Sequence, residues 1–360
     1  MKGEPTTVID LFAGAGGFSL AARSLGVQIL AAVENDKWAQ ATYRLNFIKR
    51  KRKNRPLLFG DITTTEPEGI MEMTSISPGR LDILMGGPPC QGFSTHRIKN
   101  AGVNDPRNEL LLRYFKFVKS IRPKAFVVEN VPGMLWKRHR NYLGKFLHMV
   151  SEAGYTLHGP QTLDAKFFGV PQNRKRVFMV GFQKHLSVSF NWPEPTHFPP
   201  DGVEVQELAA DAWLNASTVF NSPLATDDIN AVHMNHSDEL IEAFKSTPLN
   251  GGSRTESNRI LPCHRKHDGH RDVYGRIDLG KPGPTMTTAC INPSKGRFVH
   301  PIEHHGITVR HAARFQTFPD SFVFLGGLMA ASRQVGNAVP IVLGREVLSA
   351  VISALRRNKG

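Results

Sequence analysis

The chain has 360 residues, with 45 Lys and Arg against 31 Asp and Glu, and so carries a formal charge of +14. An apolar share of 40%, with 32 glycines and 24 prolines spread along the chain, excludes a disordered, collagen-like or coiled-coil protein. No uninterrupted apolar run reaches the ~18 residues that cross a bilayer.

Three cysteines, Cys90, Cys263 and Cys290, are too few and too scattered for a disulfide framework, so a reducing, cytoplasmic setting is expected. The apolar stretch 8–22 is interrupted by Asp10 and by glycines, and reads as mature sequence rather than a signal peptide. The excess of cations favours a polyanionic partner without choosing among DNA, RNA and anionic lipid.

From residue 6 to about 182, short β-branched runs alternate with segments of helical period, the mark of βαβ units around a parallel sheet. Residues 8–13 read as a buried strand, followed by glycines and a helix over 18–25. A strand over 29–33 ends at Glu34, and 37–47 looks helical. Strand 81–85 runs into Gly86-Gly87-Pro88-Pro89-Cys90. Over 108–121, Leu111, Tyr114, Phe115, Val118 and Ile121 share one face, which predicts a helix packed on a sheet. Strands follow at 126–128, ending at Glu129, and at 176–181. Beyond Phe182 prolines crowd in and polar, irregular sequence continues to Pro301, as in a second, loop-rich domain. The last periodic stretch, 340–355, reads as an amphipathic helix with proline in its first turn.

Gly14, Gly16 and Gly17 leave the first strand and open the first helix, where a bare backbone approaches a ligand closely. Glu34, twenty residues past Gly14, stands at the end of the next strand, where an acid accepts hydrogen bonds from ribose hydroxyls. A dinucleotide fingerprint would need glycine at Ser19, so S-adenosylmethionine, with ribose and adenine but no pyrophosphate, suits the turn better. Asp61 offers a carboxylate to the adenine amino group; its bland alternative is a loop-starting cap. In the later strand-end loop only Cys90 carries a nucleophile, between glycines and prolines that present a thiol rather than hide it. Cys263 and Cys290 read as small buried hydrophobes. Cys263-His264 with His267 and His270 matches no zinc-ligand spacing, and no metal is expected.

Taken in order, Asp10-Leu11-Phe12-Ala13-Gly14 with Gly16-Gly17-Phe18, Glu34, Gly60-Asp61-Ile62 and Pro88-Pro89-Cys90-Gln91 resemble motifs of the DNA (cytosine-5) methyltransferases. So do Glu129-Asn130-Val131, Gln172-Asn173-Arg174-Lys175-Arg176, Arg310 with Phe318-Pro319, and the run from Gln334 through Asn337 to Pro340. Each piece alone is weak, but the ordered set is specific and covers nearly the whole chain. The resemblance implies an α/β fold, a Rossmann-like S-adenosylmethionine-dependent methyltransferase sheet with a second, smaller, loop-rich target-recognition domain. Residues 1–182 plus 333–360 would form the catalytic and cofactor-binding domain, 183–300 the target-recognition domain and 301–332 a hinge.

The same resemblance implies residue roles. Cys90 would attack carbon 6 of a flipped cytosine, Glu129 would meet ring nitrogen 3 in protonated form, and Arg174 and Arg176, sharing one face of a strand, would contact the base carbonyl. Phe12, Gly14, Gly16, Gly17, Glu34, Asp61, Ile62, Pro88, Asn337 and Val339 would hold the cofactor. Asn35 departs from relatives with tryptophan there, which leaves adenine stacking to Phe12. Gln91, Ser94, Arg254 and Thr285 would meet double-stranded DNA. A monomeric bacterial modification enzyme, with a cognate restriction endonuclease and no membrane association, is expected. The rivals are the family's tRNA-methylating branch, which shares the core motifs, and a catalytically silent DNA-binding scaffold.

Overall fold

A computed structural model describes residues 5–48, 55–89, 109–258 and 272–357. β1 (Thr7–Leu11) leads through the glycine turn to α1 (Gly17–Ser24), and β2 (Gln28–Val33) to α2 (Lys37–Tyr43), whose N-cap Asp36 accepts from the amides of Trp38 and Ala39. The helix expected to residue 47 is present, and its last stretch, Arg44–Ile48, is π-helical and carries Phe47 into the core. β3 (Leu57–Phe59), α3 (Pro67–Thr74), β4 (Ile83–Gly86), α4 (Glu109–Ile121), β5 (Ala125–Asn130), α5 (Arg140–Glu152), β6 (Tyr155–Asp164) and β7 (Lys175–Gln183) follow.

The strands join in the order β3-β2-β1-β4-β5-β7-β6. Pairing is parallel from β3 to β5 and antiparallel where β7 meets β5 and β6. β4 and β5 are buried throughout, as strands between two layers of helices must be. The chain winds one way from β1 to β3 and the other way from β4, so the carboxyl ends of β1 and β4 form the switch point at which open α/β sheets take ligands. The stripe expected on the fourth helix is buried: Leu111, Tyr114, Phe115, Val118 and Ile121 all pack into the core. The Tyr114 hydroxyl donates to the carbonyls of Leu84 and Val127, which ties that helix to the central strands.

Later elements are short: β8 (His197–Phe198), α6 (Val203–Gln206), β9 (Asp211–Ala212), α7 (Ser217–Phe220), α8 (Asp238–Ser246), α9 (Val309–Phe315), α10 (Leu328–Asn337) and α11 (Ile341–Arg357). The segment Leu328–Arg357 is long and apolar enough by composition to cross a membrane. Of its most apolar window, however, 61% is buried inside the fold, as in a core helix. The last helix starts at Ile341, one residue after the proline expected in its first turn.

The chain divides into two compact units, Met1–Asp164 with Lys175–Glu194 and Leu343–Gly360, and Ala165–Arg174 with Pro195–Val342. Residues 165–174 and 333–342 therefore fall in the second unit and 183–194 in the first, unlike the expected boundaries. Within the second unit the Arg174 guanidinium donates to the carbonyls of Met286, Gly336 and Ala338 and ties those segments together.

Candidate active site

The turn after β1 holds three residues of left-handed backbone, Phe12, Gly14 and Gly16, with φ of 61°, 56° and 98°. A Cβ on Gly16 would lie 2.4 Å from the Phe47 ring, so sterics as well as φ require glycine there, whereas Gly14 faces open space. Gly14 N–H donates to Glu34 Oε2 at 2.8 Å, and Asp36 N–H to Glu34 Oε1 at 2.7 Å. Burial raises the pKa of Glu34, and these two amides pull it back.

Beneath the turn, Ser19 donates to Asp10 at 2.6 Å and lies 2.9 Å from the Tyr43 hydroxyl. Burial pushes the Asp10 carboxyl up to about 7, with Ser19 opposing and the charge of Glu34 adding to the rise. The sequence reading assigned this pair no role, although Asp10 stood inside the matched motif.

These residues fit S-adenosylmethionine. Each Glu34 oxygen takes one backbone N–H and keeps a lone pair for one of two neighbouring hydroxyls, as a ribose presents. Phe12 is half-buried at the turn, packed on the core. Ile62 is buried, while Asp61 is exposed and uses one oxygen to cap Thr63, the bland role weighed for it.

At the end of β4 the glycines are equally constrained. A Cβ on Gly86 would meet Leu11 O at 2.4 Å, and one on Gly87 would meet Glu129 Oε2 at 2.9 Å. The Glu129 carboxylate thus passes directly over the backbone that leads, through Pro88 and Pro89, to Cys90. Cys90, Gln91 and Ser94 lie outside the described residues, as do Cys263, His264, His267 and His270. Asn130, next to Glu129 at the end of β5, donates from Nδ2 to the Pro88 carbonyl at 3.2 Å and accepts from Val131 N–H at 2.8 Å. It anchors the approach to the cysteine, a role the motif alone did not disclose.

Arg176 Nε reaches Glu129 Oε1 at 2.7 Å, with both side chains mostly buried. The two expected arginines have different partners, and Arg174 precedes β7, which begins at Lys175. The Arg174 side chain is fully buried on the three carbonyls named above, which removes it from the expected role at the base. Its neighbours act similarly: Gln172 bonds Phe315 O, Gln316 and Met286 N–H, and Asn173 bonds the carbonyls of Pro282 and Gly283. Thr285 donates its hydroxyl to the Asn173 carbonyl and stays half-buried.

Arg254 also differs from expectation: it is only 8% exposed, inside a turn capped by Ser253 and Glu256, so it does not present a free guanidinium to a duplex. Asn337 is exposed as the last residue of α10, and Val339 is buried. Cys290 is buried and free, its thiol pushed up to about 11 by burial, as suits the inert packing role expected of it.

The family model of C-5 cytosine-specific DNA methylases matches residues 6–353. The chain belongs to that family. The methylase is 34% identical over 347 residues to the Type II methyltransferase M1.HphI of Haemophilus parahaemolyticus, covering 96% of this chain and 86% of that protein. It is 31% identical over 356 residues to M.NgoPII of Neisseria gonorrhoeae, covering 98% and 97%. A crystal structure of a prophage-encoded DNA modification methyltransferase of E. coli superposes with a TM-score of 0.70 at 25% identity, covering 98% of this chain and 99% of that one. Spodoptera frugiperda DNMT2 shares the fold, with a TM-score of 0.62 at 16% identity over 96% of this chain and 99% of that one. The enzyme transfers a methyl group from S-adenosylmethionine to carbon 5 of cytosine in DNA.

Proposed function

We propose that this methylase modifies cytosine within one defined double-stranded sequence, as the protecting partner of a cognate endonuclease in a bacterial restriction–modification system. It would work in the cytoplasm as a monomer. The naming of its relatives as Type II methyltransferases supports the reading, and the observation that carries its chemistry is the Glu129 carboxylate held by Arg176 over Gly87.

Carbon 5 of cytosine is too weak a nucleophile to take a methyl group unaided. The Cys90 thiolate bonds to carbon 6, the 5,6 double bond opens, and electron density moves to carbon 5. Loss of the carbon 5 proton after methylation expels Cys90 and restores the ring. Reaching carbon 6 requires the base to leave the stack, at a cost of about a few kcal/mol.

Arg176 pairs with the Glu129 carboxylate at 2.7 Å. When cytosine enters, its carbonyl takes Arg176, and Glu129 becomes free to hold a proton at ring nitrogen 3. Bound S-adenosylmethionine supplies an electrophilic methyl on a sulfonium; Phe12, Gly14, Gly16, Gly17, Glu34, Asp61, Ile62, Pro88, Asn337 and Val339 would hold it. Gln91, Ser94 and Thr285 would meet the DNA.

The test uses plasmid-length duplex synthesised with 5-fluorocytosine, which covers every target sequence. Fluorine cannot leave as the proton does, so the wild type forms a covalent complex that survives denaturing electrophoresis, and Cys90→Ser does not. Undiminished turnover in Cys90→Ser would overturn the mechanism, and label transferred from the cofactor into tRNA alone would overturn the DNA substrate.

A further inference from the structure

Between Asn130 and Ser151 the chain holds no aspartate or glutamate, while Lys137, Arg138, Arg140 and Lys145 are all cationic. This stretch leaves β5 directly after the Glu129–Asn130 pair, makes two short turns, Pro132–Leu135 and Lys137–His139, and enters α5. Met134 and His139 are buried and fix the turns to the core, whereas Leu135 and Trp136 stand 37% and 38% exposed.

Arg138 stacks over the Trp136 ring at 4.6 Å and donates from Nε to His139 Nε2 at 2.9 Å; its Nη2 is buried, and among the described residues its terminal nitrogens meet no carboxylate. Lys137, Arg140 and Lys145 are exposed and none makes an ion pair among the described residues. The first turn of α5 carries no acid and its N-cap no side-chain bond; the helix's one acid, Glu152, lies in its last turn, against His148.

Such a cluster of exposed cations attracts a polyanion. We propose that Trp136 with Lys137, Arg138, Arg140 and Lys145 forms a second DNA-binding surface, which grips the sugar–phosphate backbone beside the site built around Glu129. An exposed aromatic stacked on a guanidinium suits the sugar and base of a strand, and the flanking cations suit its phosphates. The proposal rests on the methylase reading of the neighbouring site and extends it to residues outside the region expected to read sequence.

The experiment compares the full-length wild type with the triple variant Lys137→Gln/Arg140→Gln/Lys145→Gln, binding a fluorescein-labelled duplex across a salt series by anisotropy. The triple variant is expected to bind roughly tenfold or more weakly at moderate salt, and the slope of log K against log salt to fall by about 2–3, near 0.9 per phosphate lost. Its melting temperature, cofactor affinity and kcat at saturating genomic DNA are expected to match the wild type, with KM for DNA raised. Separately, Trp136→Phe should remove most of the tryptophan quenching that DNA causes in the wild type. An unchanged slope and affinity in the triple variant, or full quenching in Trp136→Phe, would overturn the surface while leaving the methylase reading intact. Failure of the wild type to label DNA would instead overturn that reading.

Discussion

In the first unit, strand-to-strand pairing satisfies the buried backbone, and short glycine turns at the carboxyl ends of β1 and β4 carry the chemistry. In the second, strands are almost absent among the described residues, and buried guanidinium groups replace them. Arg276 donates to the carbonyls of Thr247, Phe244, His300, Ile302 and Glu303, and Arg174 to three more. Arg310 bonds Pro319 O and Phe322 O while pairing with Asp228. An irregular chain has carbonyls with no ladder to join, and arginine, with five donors in one plane, gathers several at once. Substitutions should therefore differ in kind: those at the strand-end turns of the first unit lose activity with stability kept, those of the buried arginines of the second the reverse.

The largest effect expected is on turnover. Glu129→Gln should lower kcat by about 10²–10⁴-fold, the usual range for a positioned acid, with the melting temperature preserved. A tenfold loss or less would mean that Glu129 is only the structural partner of Arg176. Arg276→Met should destabilise the second unit by about 3–5 kcal/mol in urea, since several carbonyls are left buried and unpaired. Activity per folded molecule should be retained.

Acid distinguishes the units as well. Burial, reinforced by neighbouring histidines and Arg314, holds His311 down to about 3, and burial with His305 and Arg276 holds His300 to about 4, against 6.5 ordinarily. The unfolded chain then binds more protons than the fold below about pH 6.5, so stability is intact above that pH and falls as pH drops. His311 alone should lower the urea stability by about 2 kcal/mol between pH 7 and pH 5, and His311→Gln should flatten the profile. Asp10 acts with the opposite sign in the first unit: its raised carboxyl contributes stability at low pH that is lost as pH rises toward 7.

The smallest effect concerns the cofactor. Glu34→Gln keeps one acceptor but loses the charge and the paired geometry, and should weaken S-adenosylmethionine binding about tenfold by calorimetry, or ~1.4 kcal/mol. Unchanged affinity would move the ribose contact away from the end of β2.

Much of the first unit was legible because its signals are local. A β-branched run, a glycine turn and an acid at a strand end lie within a few residues of one another, and the buried face of α4 follows from helical period alone. β6 escaped because its exposed, polar positions hide the alternation of an edge strand.

The fates of Arg174 and Arg176 show where local reading stops. Two residues apart, they are equivalent by alternation, yet one pairs with Glu129 and the other is fully buried on carbonyls 112 to 164 positions away. Residue types and their order thus determined the family and its local elements, because a motif, a strand and a helical face are each read within a few residues. Which guanidinium faces the acid, why Arg254 is buried, and where the second unit begins were decided only by the folded chain, because an orphan carbonyl's partner is chosen by space and not by sequence distance.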